Sequence, residues 1–141
     1  MIGFFDFDMT TAITIGKETP SLSQFKDCGF AVRDILNAKP TSITRRMSKY
    51  RKVYILTARS SGNGKMRDAM QKYFLRNGIY IPKNRILMVG DYMQDIPTCQ
   101  KKAIVLNHYA NQLNQNIDFW DDDKHNVDNA RSVNRIRSFQ V

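Results

Sequence analysis

Four short apolar runs, each ending in a polar cluster, constrain the fold of this chain more than any other feature. They are Gly3 to Phe7, Val53 to Leu56, Ile86 to Val89 and Ile117 to Trp120. The first begins without polar alternation, which predicts a strand covered on both faces, and all four read as short buried strands. Between them lie helical patterns. Met66, Met70, Tyr73, Phe74 and Ile79 mark one helix, closed by Asn77-Gly78, and Ala103, Leu106, Tyr109, Ala110 and Leu113 mark another. The segment from Pro20 to Ala38 reads as helix, with Gly29 an awkward interior residue and Lys39-Pro40 a stop. Ala130, Val133, Ile136 and Phe139 suggest a last, basic helix carrying Arg131, Arg135 and Arg137. Strands alternating with helices predict right-handed crossovers, a mostly parallel central sheet and an α/β domain. At 141 residues the chain suits one domain, spanning 1–141.

In such sheets ligands sit outside the carboxyl ends of the strands. The polar clusters obey that rule: Asp6 and Asp8 end the first run, Thr57-Ala58-Arg59 the second, Gly90-Asp91 the third and Asp121-Asp122-Asp123 the fourth. Strand alternation predicts that Asp6 and Asp8 point the same way where the first strand runs out. Two carboxylates so placed cost stability unless a cation or a reaction uses them.

A carboxylate such as Asp6 is able to attack phosphorus and form an aspartyl phosphate. Asp8 would then protonate the leaving oxygen and deprotonate the attacking water. Thr10 would orient the loop or Asp6 by hydrogen bonding. An anionic nucleophile meeting an anionic phosphate needs compensating charge, which a Mg²⁺ ion and a lysine supply. Asp121 and Asp122 suit that ion, and Thr57 with nearby backbone N–H groups suits the phosphoryl oxygens. Arg59 is a substrate-contact candidate whose plainer reading is a surface arginine.

The run ending Asp6-Phe7-Asp8-Met9-Thr10 resembles the first motif of the haloacid dehalogenase (HAD) superfamily of phosphohydrolases. Val53 to Arg59 resembles its second motif, and Phe119 to Val127 its fourth in paired-acid form. The third motif, a lone lysine, is matched best by Lys102, with Lys101 beside it. The resemblance covers residues 2 to 127. It implies a three-layer Rossmann-like (HAD-like) domain, with Asp6 as nucleophile and Asp8 as acid/base. It further implies Mg²⁺ held by Asp6, the Asp8 carbonyl and Asp121/Asp122, and a phosphoryl group held by Thr57 and Lys102; Thr10 and Arg59 are further candidates for substrate binding. Met9 departs from the glycine often found there. Only Met9 to Lys52 separates the first two strands, which leaves no room for a large cap. Capless members of the family tend to act on macromolecules. Val89-Gly90-Asp91-Tyr92-Met93-Gln94-Asp95 imitates the other form of the fourth motif, in which Asp91 and Asp95 would bind the metal and Lys83 would be the lysine. Asp121 and Asp122 are preferred, because Lys102 then lies on the helix directly before their strand.

The balance of 22 Lys+Arg against 13 Asp+Glu gives a formal charge of +9, which attracts polyanions such as nucleic acid. A simply solubilising basic surface is the ordinary alternative. No apolar stretch reaches membrane-spanning length and the start lacks a secretory pattern. Cys28 and Cys99 fit free thiols in a reducing cytosol, with a single disulfide the alternative that counting leaves open. The expectation is a cytoplasmic, Mg²⁺-dependent phosphatase of phosphorylated nucleic-acid ends. The likeness to phosphatase domains of polynucleotide kinase–phosphatases points to a 3′-phosphate. A nucleotide or small-molecule phosphatase, and a catalytically silent nucleic-acid-binding module on the same scaffold, are the alternatives.

Overall fold

A computed structural model describes residues 1–15 and 29–141 of the chain. Its strands are β1 (Ile2–Phe5), β2 (Ala12–Ile13), β3 (Lys39–Pro40), β4 (Lys52–Thr57), β5 (Ile86–Met88), β6 (Ile117–Asp121) and β7 (Ile136–Gln140). Its α-helices are α1 (Gly29–Leu36), α2 (Ser42–Arg46), α3 (Lys65–Arg76), α4 (Thr98–Leu113) and α5 (Lys124–Arg131). Five strands form one sheet in the order β5-β4-β1-β6-β7, and every neighbouring pair in it is parallel. β2 and β3 make a separate antiparallel pair beside it. The protein is therefore α/β with a parallel central sheet.

Alternation along the strands sorts the core into two layers. Phe5, Val53, Ile55, Ile86 and Met88 face Ile35 of α1 and Met66, Met70, Tyr73 and Phe74 of α3. Ile2, Phe4, Tyr54, Leu56, Ile117 and Phe119 face Leu106 and Ala110 of α4 and Ala130 of α5. Register fixes this division: Phe4 lies level with both Tyr54 and Phe119, and its ring stacks on that of Tyr54 at 4.4 Å. Burying each such ring contributes about 2–3 kcal/mol. Helix α3 ends as its Asn77-Gly78 signal predicts, with Asn77 as cap and Gly78 at a φ of 81°.

Two expectations change. The apolar spacing from Ala130 to Phe139 does not continue a helix. Helix α5 stops at Arg131, Arg135 turns the backbone to a φ of 72°, and Ile136–Gln140 pairs with β6. A three-residue apolar spacing fits either element over so short a stretch. The exposed backbone of β6 decides it, because an unpaired edge there would leave its N–H and C=O groups open. The helix expected from Pro20 to Ala38 is observed over Gly29–Leu36, and its earlier part lies outside the described residues. Among the described residues no helix is long and apolar enough to cross a membrane.

The connections run β1, β4, β5 in one direction and β6, β7 in the other. The order reverses between β1 and β6. A crevice opens outside the carboxyl ends of strands where such a reversal occurs.

Candidate active site at the ends of β1 and β6

Asp6 follows β1, and Asp121 is the last residue of β6. Both carboxylates are buried, and the Asp6 amide bonds the Trp120 carbonyl at 2.9 Å, which ties the two strand ends together. Helix α4 supplies the cation that makes this tolerable. Lys102 Nζ lies 2.8 Å from Asp6 Oδ1 and 2.8 Å from Asp121 Oδ2, and the lysine is 1% exposed. Thr10 Oγ1 donates to Asp6 Oδ2 at 2.9 Å and reaches Asp122 Oδ1 at 3.4 Å. Asn126 of α5 donates to Asp121 Oδ2 at 3.0 Å, and the Asp123 amide donates to Asp121 Oδ1 at 2.9 Å.

Burial raises the Asp6 carboxyl from its ordinary value to about 7; the Lys102 ammonium resists that rise and the Asp121 charge reinforces it. Burial works against the Lys102 charge, but Asp6 and then Asp121 outweigh it and hold the ammonium above its ordinary range. A buried group of two carboxylates and one ammonium keeps an excess of negative charge.

The acid run Asp121-Asp122-Asp123 divides its work. Asp6, Asp121 and Asp122 each offer a carboxylate oxygen within 4.8 Å of the others. Asp123 instead caps α5, accepting from the His125 and Asn126 amides at 2.8 and 3.3 Å. The first three acids form an all-oxygen donor set with excess negative charge, which fits a hard divalent cation. Among the described residues no other group of three or more potential ligands gathers in this way.

Asp8 does not share the environment of Asp6. β1 ends at Phe5, and the Phe7 carbonyl accepts from the amides of Thr10, Thr11 and Ala12 as the chain turns through Met9, at a φ of 62°. The turn brings Asp8 to Arg59 beyond β4. Arg59 Nε is 2.9 Å from Asp8 Oδ2 and its Nη2 is 2.7 Å from Asp8 Oδ1, a bidentate pair. The same Nη2 reaches Asp34 Oδ2 on α1 at 3.0 Å, and Asp34 Oδ1 accepts the Ile15 amide at 2.8 Å. Thr14 also donates to Asp8. Burial disfavours the Arg59 charge, yet Asp8 and then Asp34 hold it above its ordinary value. The two carboxylates expected as a like-charge pair thus each have a cation of their own.

Thr57 ends β4 fully buried, with its hydroxyl accepting the Arg59 amide at 3.2 Å. The Gly90-Asp91 segment serves that same loop. A Cβ on Gly90 would lie 2.6 Å from the Ala58 carbonyl oxygen and 2.7 Å from Arg59 and Ser60 backbone atoms, so only glycine allows the approach. Asp91 accepts the Ser61 amide at 3.0 Å. Asp95 is exposed, Lys83 pairs with Asp68 at the surface, and Lys101 Nζ meets the Val89 carbonyl at 3.4 Å. The alternative metal pair and lysines therefore lie apart from the Asp6 cluster.

Two residues of the site had little signal in the sequence. Asn126 sits one turn into α5, a position that reads as ordinary capping sequence. Asp34 lies on an otherwise apolar helix face, 25 residues from its partner Arg59. Comparison with models of known protein families, with curated proteins and with solved structures found no match.

Proposed function

We propose that this protein is a cytoplasmic HAD-type phosphomonoesterase that hydrolyses phosphorylated nucleic-acid ends, with a preference for 3′-phosphates, through a phospho-Asp6 intermediate. The observation that carries the reading is the Lys102 bridge between Asp6 and Asp121, at the switch point of a parallel sheet. Asp6, Asp121 and Asp122 would hold Mg²⁺, which when bound neutralises phosphate charge during transfer. The Asp6 carboxylate attacks phosphorus in line with the ester oxygen, the ester P–O bond breaks, and the proton carried by the phosphate monoanion passes through Asp8 to the leaving alkoxide. Asp8 then takes a proton from water as that water attacks the acyl phosphate, releasing inorganic phosphate and regenerating Asp6. Lys102 opposes protonation of Asp6 and aims its carboxylate, and Thr10 holds its second oxygen. Arg59 fixes the plane of the Asp8 carboxylate. Thr57 and the amides after it stand at the strand end where phosphoryl oxygens would be received.

Asp6→Asn should abolish hydrolysis of p-nitrophenyl phosphate without loss of fold. An Asp6→Asn protein that turns over normally would remove the mechanism. Among physiological esters, a 3′-phosphorylated oligonucleotide should be hydrolysed faster than its 5′ counterpart and faster than free nucleotides. Equal turnover of free nucleotides would reject end processing.

A further inference from the structure

The charge of this chain is distributed very unevenly. Residues 35–67 contain nine Lys and Arg and no Asp or Glu, which accounts for the whole formal +9; the other 13 basic residues are matched by the 13 acids. Six of the nine fall between positions 39 and 52: Lys39, Arg45, Arg46, Lys49, Arg51 and Lys52. All but Lys52 are exposed. Among the described residues none of the six forms an ion pair, whereas the surface cations Lys83, Arg131 and Arg137 each pair with an aspartate. Crowded like charges without an acidic partner among the described residues raise the energy of the folded state, and a polyanion offsets that cost.

The basic segment starts at the rim of the site. Lys39 of β3 pairs with Ile13 of β2. Thr41, the cap of α2, donates to the Thr10 carbonyl at 2.6 Å, and the Thr10 hydroxyl in turn bonds Asp6. Helix α2 then carries Arg45 and Arg46 away from that point. The Arg46 guanidinium lies 5.4 Å from the centre of the Trp120 ring, which stacks on Phe139 at 4.4 Å. Trp120 directly precedes Asp121 but packs on the opposite face of the sheet, so this strip of cations and half-buried aromatics meets the acid cluster through Thr41 and Thr10. Aromatic faces flanked by arginine suit unpaired bases, and spaced cations suit successive phosphates. A duplex hides its base faces and would use only the charge.

We propose that the surface carried by residues 39–52 binds the sugar–phosphate backbone of a single nucleic-acid strand and leads its end toward Asp6. Only the delivery to Asp6 rests on the phosphohydrolase reading; the binding stands apart from it.

The test measures fluorescence anisotropy of labelled single-stranded DNA and RNA oligonucleotides with 3′-hydroxyl ends, so that no hydrolysis enters the measurement. Salt is varied for the wild type, for Arg45→Gln/Arg46→Gln/Lys49→Gln and for a control, Lys72→Gln/Lys124→Gln/Arg131→Gln. Each phosphate contact on a single strand contributes about 0.7 to the slope of log K against log salt, so the first variant should flatten the slope by about 2. Its affinity at low salt should fall at least about tenfold, while the control should flatten the slope by less than about half as much. Arg45→Lys/Arg46→Lys, which keeps the charge, should retain the wild-type slope. Far-UV circular dichroism checks that the folds match. An unchanged slope in the triple glutamine variant, or tighter binding of duplex than of single strand, would overturn the proposal. Absence of p-nitrophenyl phosphate hydrolysis alongside salt-sensitive strand binding would reject the enzyme reading and leave this surface standing.

Discussion

Replacing Lys102 with methionine tests how the site is held together. In the wild type its ammonium lies 2.8 Å from both Asp6 and Asp121, and all three side chains are buried. Lys102→Met keeps the chain length and removes the charge, leaving two carboxylates without their shared cation. Removing one partner from a buried ion pair costs about 3–5 kcal/mol. For a chain of this size each kcal/mol lowers Tm by roughly 3–4 °C, so the fall should be roughly 9–20 °C at pH 8 without divalent ions. The pH dependence has a fixed sign. Burial already raises Asp6 to about 7, and Lys102 is the main influence opposing that rise. Without it the folded state favours a protonated carboxyl still more strongly, so the penalty should shrink as pH falls toward 5. Thermal unfolding of both proteins at several pH values measures this. A Tm within about 2 °C of wild type at pH 8 would refute the placement of Lys102 between two buried charges.

Other perturbations address the second network and the scaffold. Asp34→Asn loosens Arg59 and through it Asp8, so turnover of alkyl phosphates, whose leaving groups need a proton, should drop about tenfold or more, with a smaller effect on p-nitrophenyl phosphate. Equal losses on both substrates would mean that Asp34 serves stability alone. Gly90→Ala drives a methyl group into the Ala58–Ser60 backbone and should cost about 1–3 kcal/mol by chemical denaturation, and Asp91→Ala, which removes only the bond to Ser61, should cost less. Tyr73 donates to the Thr11 carbonyl at 2.7 Å, and burial pushes its hydroxyl up to about 12. The folded state therefore resists its ionisation, and stability should fall as pH rises from about 10 through 12. Tyr73→Phe should cost about 1 kcal/mol at neutral pH and should flatten that alkaline decline.

The sheet was legible because four short, mainly apolar runs have few other uses in a chain of this length, and their polar ends could be read off directly. β7 was not, since Val133, Ile136 and Phe139 satisfy helical spacing and only the open edge of β6 selects a strand. Asp6, Asp121 and Asp122 lie together at neighbouring strand ends, joined by Thr10 from the turn after β1 and by Lys102 from α4. The bridging of Asp8 and Asp34 by Arg59 was hidden, because it depends on the turn at Met9 and on a contact between Arg59 and Asp34 across 25 residues. Gly90-Asp91 misled for a physical reason. A glycine packed against a neighbouring loop and an aspartate capping that loop leave the same sequence trace as a metal-binding turn.

The central claim is that Asp6 becomes phosphorylated during turnover. Borohydride reduces an acyl phosphate to an alcohol, so quenching the enzyme with it during turnover of a phosphate ester, followed by peptide mass spectrometry, reads the claim directly. The account predicts homoserine at position 6, dependent on substrate and Mg²⁺ and absent from Asp6→Asn. Active enzyme that yields only unmodified Asp6, or modification at another carboxylate, would contradict it.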